Sequence, residues 1–329
     1  MPETAFIVTV DAEGDDMWSR PQEITTRNAR FLPRFQALCE RHGVRPVYLT
    51  NHEMACSDEF VEFGRDVLAR GKGEIGMHLH AWNSPPLCSL TGDDFHHQPY
   101  LIEYETSLMR GKVRALTRLL EDRFDARMTS HRAGRWAFDA RYAAILRAEG
   151  YRVDCSVTPG VDWRANPGAP GGRGGTDYRG YPSRPYYLDA RDPARPAAEG
   201  LLEVPMTVRP SLLARRAARA YHLPLIGCLA RRVAPRLRWL CPVQLHERAN
   251  VDAMLEVAHA AFAERPDHLE FMLHSSELMP GGSPSFRTPG DIERLYDRLE
   301  ALFETAARLG VPKTLSEFAA RHAARAVAA

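Results

Sequence analysis

Gly73-Glu74-Ile75-Gly76-Met77-His78-Leu79-His80-Ala81-Trp82 contains the third of three short apolar runs near the start of the chain, after Ala5–Val10 (AFIVTV) and Arg45–Thr50 (RPVYLT). Two segments of helical periodicity separate them. The first carries Phe31, Phe35 and Leu38 on one stripe and stops at Gly43, and the second starts at Ser57 with Phe60, Phe63 and Val67 facing inward. Strand, helix, strand, helix, strand at this spacing predicts βαβ units and a parallel sheet. On the third strand successive side chains alternate, so His78 and His80 share one face while Met77 and Leu79 take the other. Two imidazoles on one face need only a carboxylate from elsewhere to form a three-ligand metal site with an open position.

A carboxylate of that kind follows the first run. Ala5–Val10 is continuously apolar, as expected of a strand covered on both faces. It leads into Asp11-Ala12-Glu13-Gly14-Asp15-Asp16, four carboxylates in six residues, and Asp11 and Glu13 repeat the two-residue spacing of the histidines. Beyond Trp82, residues 83–100 read as a polar loop and about 100–124 as a long helix. Residues 127–130 form a short strand ending in His131-Arg132-Ala133-Gly134-Arg135-Trp136, where Arg132 can orient a carboxylate by a bidentate pair. A helix over 139–149 and a strand over 151–157 (YRVDCSV) bring Asp154 and Ser156 to the same kind of strand end. Glycine and proline crowd residues 158–200, predicting a long loop over the active-site end. There Trp163 can stack on a sugar face and Asp162 can bind hydroxyls. Residues 201–208 regain strand character. Residues 209–240 then carry Arg215, Arg216, Arg219, Arg231, Arg232, Arg236 and Arg238 among leucines and alanines, broken at Pro224 and Pro235. This basic helical insertion can contact an anionic membrane surface or an acidic partner. A helix over 250–265, a buried strand over 269–273 (LEFML) leading to His274 and Glu277, a helix over 291–309 and a strand-helix piece over 312–322 complete one domain spanning 1–329.

Composition narrows the function. An apolar fraction of 44% over 329 residues predicts a globular protein with a sizeable core. Lys plus Arg, 43, nearly cancels Asp plus Glu, 42, leaving no basic excess for nucleic acid. The six cysteines include no Cys-x-x-Cys pair, which argues against a cysteine zinc site and a disulfide framework. No run approaches the roughly 20 apolar residues of a bilayer span, and no secretory signal is evident. The expectation is a cytoplasmic protein, at most peripheral to a membrane.

The strand ends together carry Asp11, Glu13, His78, His80, Arg132, Asp154, Ser156 and His274. In a barrel of parallel strands such ends meet on one face. Here the chain resembles the polysaccharide deacetylase family, carbohydrate esterases that share a homology domain with nodulation deacetylases. Val8-Thr9-Val10-Asp11-Ala12-Glu13 is similar to its first motif, Glu74-Ile75-Gly76-Met77-His78 to the second and His131–Trp136 to the arginine motif. Tyr151–Val157 with Asp162-Trp163 is similar to the fourth, and Phe271-Met272-Leu273-His274 to the last. The resemblance implies a distorted (β/α) barrel of about seven parallel strands. It implies metal-dependent hydrolysis of an N-acetyl group on an amino sugar, in a polysaccharide or its nucleotide- or lipid-linked precursor. Asp11 would be the base, Glu13 and His78 metal ligands, Arg132 the group orienting Asp11, and His274 the acid for the departing amine. His80 joins as the third ligand, with Asp15 as an alternative carboxylate. Trp82, Asp154, Asp162, Trp163 and Glu277 are the candidate substrate contacts. The ion is divalent, zinc foremost, with Co, Ni, Fe and Mn compatible with a mixed His/carboxylate set.

Three departures from the family pattern stand out. Its second motif separates the histidines by three residues, which would put the second at Trp82 rather than His80. Its first motif has two adjacent aspartates, where this chain has Asp11 and Glu13, and its arginine motif has a proline that is missing here. Two rival readings stay open on the residues alone. One takes His78 and His80 as the metal pair of an amidohydrolase or phosphoesterase. The other is a catalytically inactive glycan-binding or scaffold protein of the same fold.

Overall fold

The first apolar run becomes β1 (Ala5–Ala12), buried at every position and flanked by parallel strands on both sides, which is why its sequence shows no apolar-polar alternation. The computed structural model describes residues 3–210, 237–244 and 250–328. The other strands are β2 (Val47–Thr50), β3 (Glu74–Leu79), β4 (Ser130–Ala133), β5 (Val153–Asp154), β6 (Tyr186–Leu188), β7 (Pro196–Ala197), β8 (Leu202–Glu203), β9 (Val208–Pro210), β10 (Leu237–Trp239), β11 (His268–His274) and β12 (Val311–Pro312). The principal helices are α1 (Leu32–Arg41), α2 (Asp58–Ala69), α3 (Thr106–Phe124), α4 (Ala140–Ala148), α5 (Val251–Ala263), α6 (Pro289–Leu309) and α7 (Leu315–Ala328).

Seven strands run parallel in the order β11-β1-β2-β3-β4-β5-β8. Among the described residues no strand ladder spans the gap between β8 and β11. The Glu270 N–H donates to Thr207 Oγ1 at 2.8 Å and His268 Nε2 meets the Pro205 carbonyl at 2.7 Å. Leu240 links the two sides, its N–H donating to Thr207 O at 2.9 Å and its carbonyl accepting from Met272 N at 3.1 Å. This is the expected distorted (β/α) barrel.

Side-chain alternation sorts the strands into two layers. Phe6, Val8, Val10, Tyr48, Ile75 and Met77 join the apolar layer beneath the helices. Ala5, Ile7, Val47, Leu49, Val153, Cys155, Leu202 and Val204 form a second cluster with Leu315 and Phe318 of α7. This second cluster fills the lower barrel, and the next positions of the same phase are Thr9 and Asp11 on β1 and Glu13 just beyond it. The barrel is therefore apolar at its base and ionic at the C-terminal ends of its strands, where parallel α/β barrels build their sites.

Two expectations need correction. Residues 158–200 are not loop throughout: Tyr186–Leu188 and Pro196–Ala197 form β6 and β7, antiparallel additions beyond β8. Paired tyrosines favour a strand, and proline is tolerated at a sheet edge. The long helix starts at Thr106 rather than near Tyr100, because Glu103 turns its carboxylate back to the Tyr100 N–H at 2.7 Å and closes a separate turn. Of the basic insertion expected over 209–240, residues 211–236 lie outside the described residues; β9 and β10 at its two ends pair antiparallel. Among the described residues no helix is long and apolar enough to cross a membrane.

His268 makes barrel closure sensitive to acid. Burial pushes its imidazole down to about 4 from the ordinary 6.5, against the upward pull of its hydrogen bond to Pro205. A group that binds protons less readily folded than unfolded gives stability that is complete above pH 6.5 and lost as pH falls from about 6.5 to about 4. The loss is on the order of 3 kcal/mol. Urea unfolding at pH 7, 5.5 and 4 should show His268→Gln losing less stability on acidification than the parent chain. Equal losses in the two proteins would count against this origin.

Candidate active site

Asp11 and Glu13 leave β1 on its inward phase, and both are buried. His78 and His80 come from the end of β3, their rings 4.6 Å apart. Glu13 Oε2 lies 3.7 Å from His78 Nε2 and 3.4 Å from His80 Nε2. One ligand atom from each of these three residues lies within 4.8 Å of the other two, and they are the group so placed among the described residues. The second atoms of the rings suit a metal as well. His78 Nδ1 meets the Arg132 carbonyl at 3.1 Å, a contact that makes Nδ1 the donor and leaves the Nε2 lone pair toward Glu13. Burial, then the neighbouring His78, hold His80 well below the usual histidine range, so it stays neutral. Among the described residues its Nδ1 has no hydrogen-bond partner, and its ring stacks on Trp82 at 4.5 Å and 20°. Behind it, a side chain at Gly134 would meet His80 Cδ2 and the Leu79 carbonyl at 2.4 Å, so only glycine lets β4 turn this close. Two imidazoles and a carboxylate converging on one point fit a divalent cation.

Beside this trio Arg132, fully buried, reaches across the barrel. Its Nη1 donates to Asp11 Oδ1 at 2.6 Å and its Nη2 to Thr9 Oγ1 at 2.8 Å and to Glu270 Oε1. Burial alone would raise the Asp11 carboxyl, but Arg132, His78 and His274 together hold it below its ordinary value. With Oδ1 held by Arg132, Asp11 Oδ2 lies 3.9 Å from His78 Nε2 and 4.0 Å from His274 Nε2. Burial opposes a charge on His274, and the Glu277 carboxylate, 3.6 Å from its Nδ1, with Glu13 and Asp11 outweighs that and raises it to about 9. Glu270 is pushed up to about 7 by burial, against the pull of Arg132.

Above these groups opens a cavity of about 580 Å³. Asp11, Glu13, His78, His80 and His274 line it, as do Trp82, Trp163 and Glu277 among the expected substrate contacts. The Glu277 carboxylate is turned toward His274, with Oε2 also accepting that residue's N–H at 3.1 Å. Asp154 does not reach the cavity. Val153 and Cys155 take the inward phase of β5, so Asp154 faces the outer layer, where it binds His131 Nδ1 at 2.5 Å. Asp162 lies elsewhere too, paired with Arg164 at 2.8 Å and Arg179 at 3.2 Å. Asp15 is occupied as a loop anchor by Thr25 Oγ1 at 2.6 Å and the Asn28 N–H at 2.9 Å. Sequence reasoning gave no role to Glu270, Arg135, Trp18, Trp136 or Trp239. Glu270 has a signal, the lone carboxylate in an otherwise apolar strand. Arg135 and Trp136 carry positive φ, 53° and 61°, which costs a non-glycine residue roughly 1–2 kcal/mol each.

Removing Arg132 would strand two buried carboxylates. Arg132→Met should lower the free energy of urea unfolding by about 3–5 kcal/mol, and a loss below about 1 kcal/mol would contradict the bridging role.

No family model matches the sequence, and no curated protein matches it. Solved structures match in shape. A Mycobacterium smegmatis protein assigned to the polysaccharide deacetylases superposes with TM-score 0.57 at 13% identity, covering 98% of this chain and 91% of that one. A Parabacteroides distasonis protein assigned as a glycoside hydrolase/deacetylase gives 0.56 at 12%, covering 97% and 71%. The 4-alpha-glucanotransferase of Thermococcus litoralis gives 0.54 at 12%, covering 98% of this chain and 41% of that one. The chain thus has the barrel fold of polysaccharide deacetylases, and part of a 4-alpha-glucanotransferase shares it.

Proposed function

We propose that this protein is a metal-dependent hydrolase that removes an N-acetyl group from an amino sugar of a polysaccharide or of its nucleotide- or lipid-linked precursor. The observation that carries the reading is the convergence of Glu13, His78 and His80 at the floor of a cavity, with the free oxygen of Asp11 beside them. A divalent ion held by those three residues, zinc foremost with Co, Ni, Fe and Mn compatible, would supply a Lewis acid for the amide carbonyl and acidify a water.

The chain's own groups divide the proton work. Arg132 fixes Asp11 through Oδ1, so Oδ2 is the oxygen that takes the proton of the attacking water. His274, across Asp11 and kept charged by Glu277, presents Nε2–H to the departing amine nitrogen. Trp82 and Trp163 give the sugar apolar faces to rest on.

Protein loaded with Zn²⁺ should hold a single equivalent and release acetate from an N-acetylated amino sugar. Asp11→Asn should lower kcat by about 10²–10⁴-fold while metal stays bound, and His80→Ala should lose metal affinity by about 10-fold or more. Phosphate release from a phosphoester without acetate release would select the phosphoesterase reading. Tight glycan binding without metal or turnover would select the inactive one.

A further inference from the structure

All five tryptophans of the chain line the one cavity above the barrel. Two stand against reacting groups: Trp18 meets His274 edge-on at 4.9 Å, and Trp82 stacks on His80. The other three make a separate wall. Trp239 is its centre, with ring centroids 5.9 Å from Trp136 and 5.8 Å from Trp163 and interplanar angles of 35° and 33°. They arrive from three distant parts of the chain, and each is pinned. Trp136 sits in the strained turn after β4, its carbonyl accepting from Tyr178 OH at 2.5 Å and its ring 5.0 Å from the Arg132 guanidinium. Trp163 Nε1 donates to Thr158 Oγ1 at 2.8 Å. The Gln244 amide clasps the Trp239 backbone, accepting from its N–H at 3.1 Å and donating to its carbonyl at 2.9 Å. Backbone strain beside a rigid aromatic wall in a reaction cavity points to ligand binding.

We propose that Trp136, Trp239 and Trp163 are the platform for a second sugar ring, joined to the acetylated amino sugar, so that the substrate is at least a disaccharide. The inference rests on the deacetylase reading for which end of the cavity reacts. A cavity of 580 Å³ suits a drug-sized ligand, larger than the roughly 15 non-hydrogen atoms of one N-acetylated pyranose. The lining also discriminates among attachments. Gln98 and Asn166 line the same cavity, the Gln98 Nε2 donating to the Met17 carbonyl at 3.4 Å; sugar hydroxyls can bond to the remaining polar atoms of such amides, whereas a hydrocarbon tail would cover them without offering a partner. A phosphate-linked carrier needs a free cation. Arg135 is engaged by the Gln98 and Pro167 carbonyls and lies 4.1 Å over Tyr100, and Arg287, the other arginine of the lining, is exposed to solvent with its Nε donating to the Pro284 carbonyl at 3.1 Å.

Because every tryptophan borders the cavity, intrinsic fluorescence reports occupancy without turnover. Metal-free protein should be titrated with N-acetylglucosamine, N-acetylgalactosamine, N-acetylmannosamine, disaccharides ending in each, and UDP-N-acetylglucosamine. At least one disaccharide should bind about tenfold or more tightly than its monosaccharide, and Trp239→Ala should erase that advantage while leaving monosaccharide affinity within about twofold. Parallel acetate assays with the metal-loaded protein should give the same disaccharide advantage in kcat/KM. Equal affinity for every monosaccharide and disaccharide, no response to any of them, or preference for the nucleotide sugar overturns the platform, whatever Trp239→Ala does to folding. A disaccharide advantage without acetate release leaves the platform standing and sinks the deacetylase reading. Acetate release at equal rates from both sugar lengths does the reverse.

Discussion

A single buried guanidinium organises the upper half of the barrel. Arg132 reaches from β4 to Asp11 and Thr9 on β1 and to Glu270 on β11, so one cation ties β4 to two adjacent strands that it does not pair with. A charge removed from water costs several kcal/mol unless it is paired and its hydrogen bonds are made. Here both ends of the fork and Nε, which meets the Cys155 carbonyl at 3.3 Å, are engaged. The ionic layer rests on the apolar plug formed with α7, and that order brings Asp11 to the lining of the cavity.

Period-two alternation made much of this readable. Once Ala5–Val10 is a buried strand, Asp11 and Glu13 must share a face, and His78 and His80 must share another; the structure turns both pairs inward to meet. The same rule failed for Asp154, because a two-residue strand gives no pattern from which to choose its phase, and Cys155 took the inward position. Glu270 was hidden for a related reason. A carboxylate within an apolar run usually marks the solvent face, and only the barrel's closure shows that this face looks onto Arg132. Trp239 lies at the end of the long basic stretch, and its place beside Trp136 and Trp163 depends on contacts across 103 and 76 residues of sequence.

The departure at the second motif acquires a geometric account. Where the family spacing would put a histidine, this chain has Trp82, and its ring lies flat against His80. An imidazole on the extended strand end, backed by that indole and by the close pass at Gly134, can thus present Nε2 to Glu13 from the strand rather than from the turn beyond it. The fold does not by itself choose the chemistry, since a glucan transferase shares it; the choice rests on this set of side chains.

X-ray absorption at the zinc edge of the Zn²⁺-loaded protein tests the centre most directly. The expected spectrum has a shell of nitrogen and oxygen scatterers at about 2.0–2.2 Å with the multiple-scattering signature of two imidazoles, reduced to one in His80→Ala. An ion with no imidazole, or a two-imidazole signature that persists in His80→Ala, would contradict it.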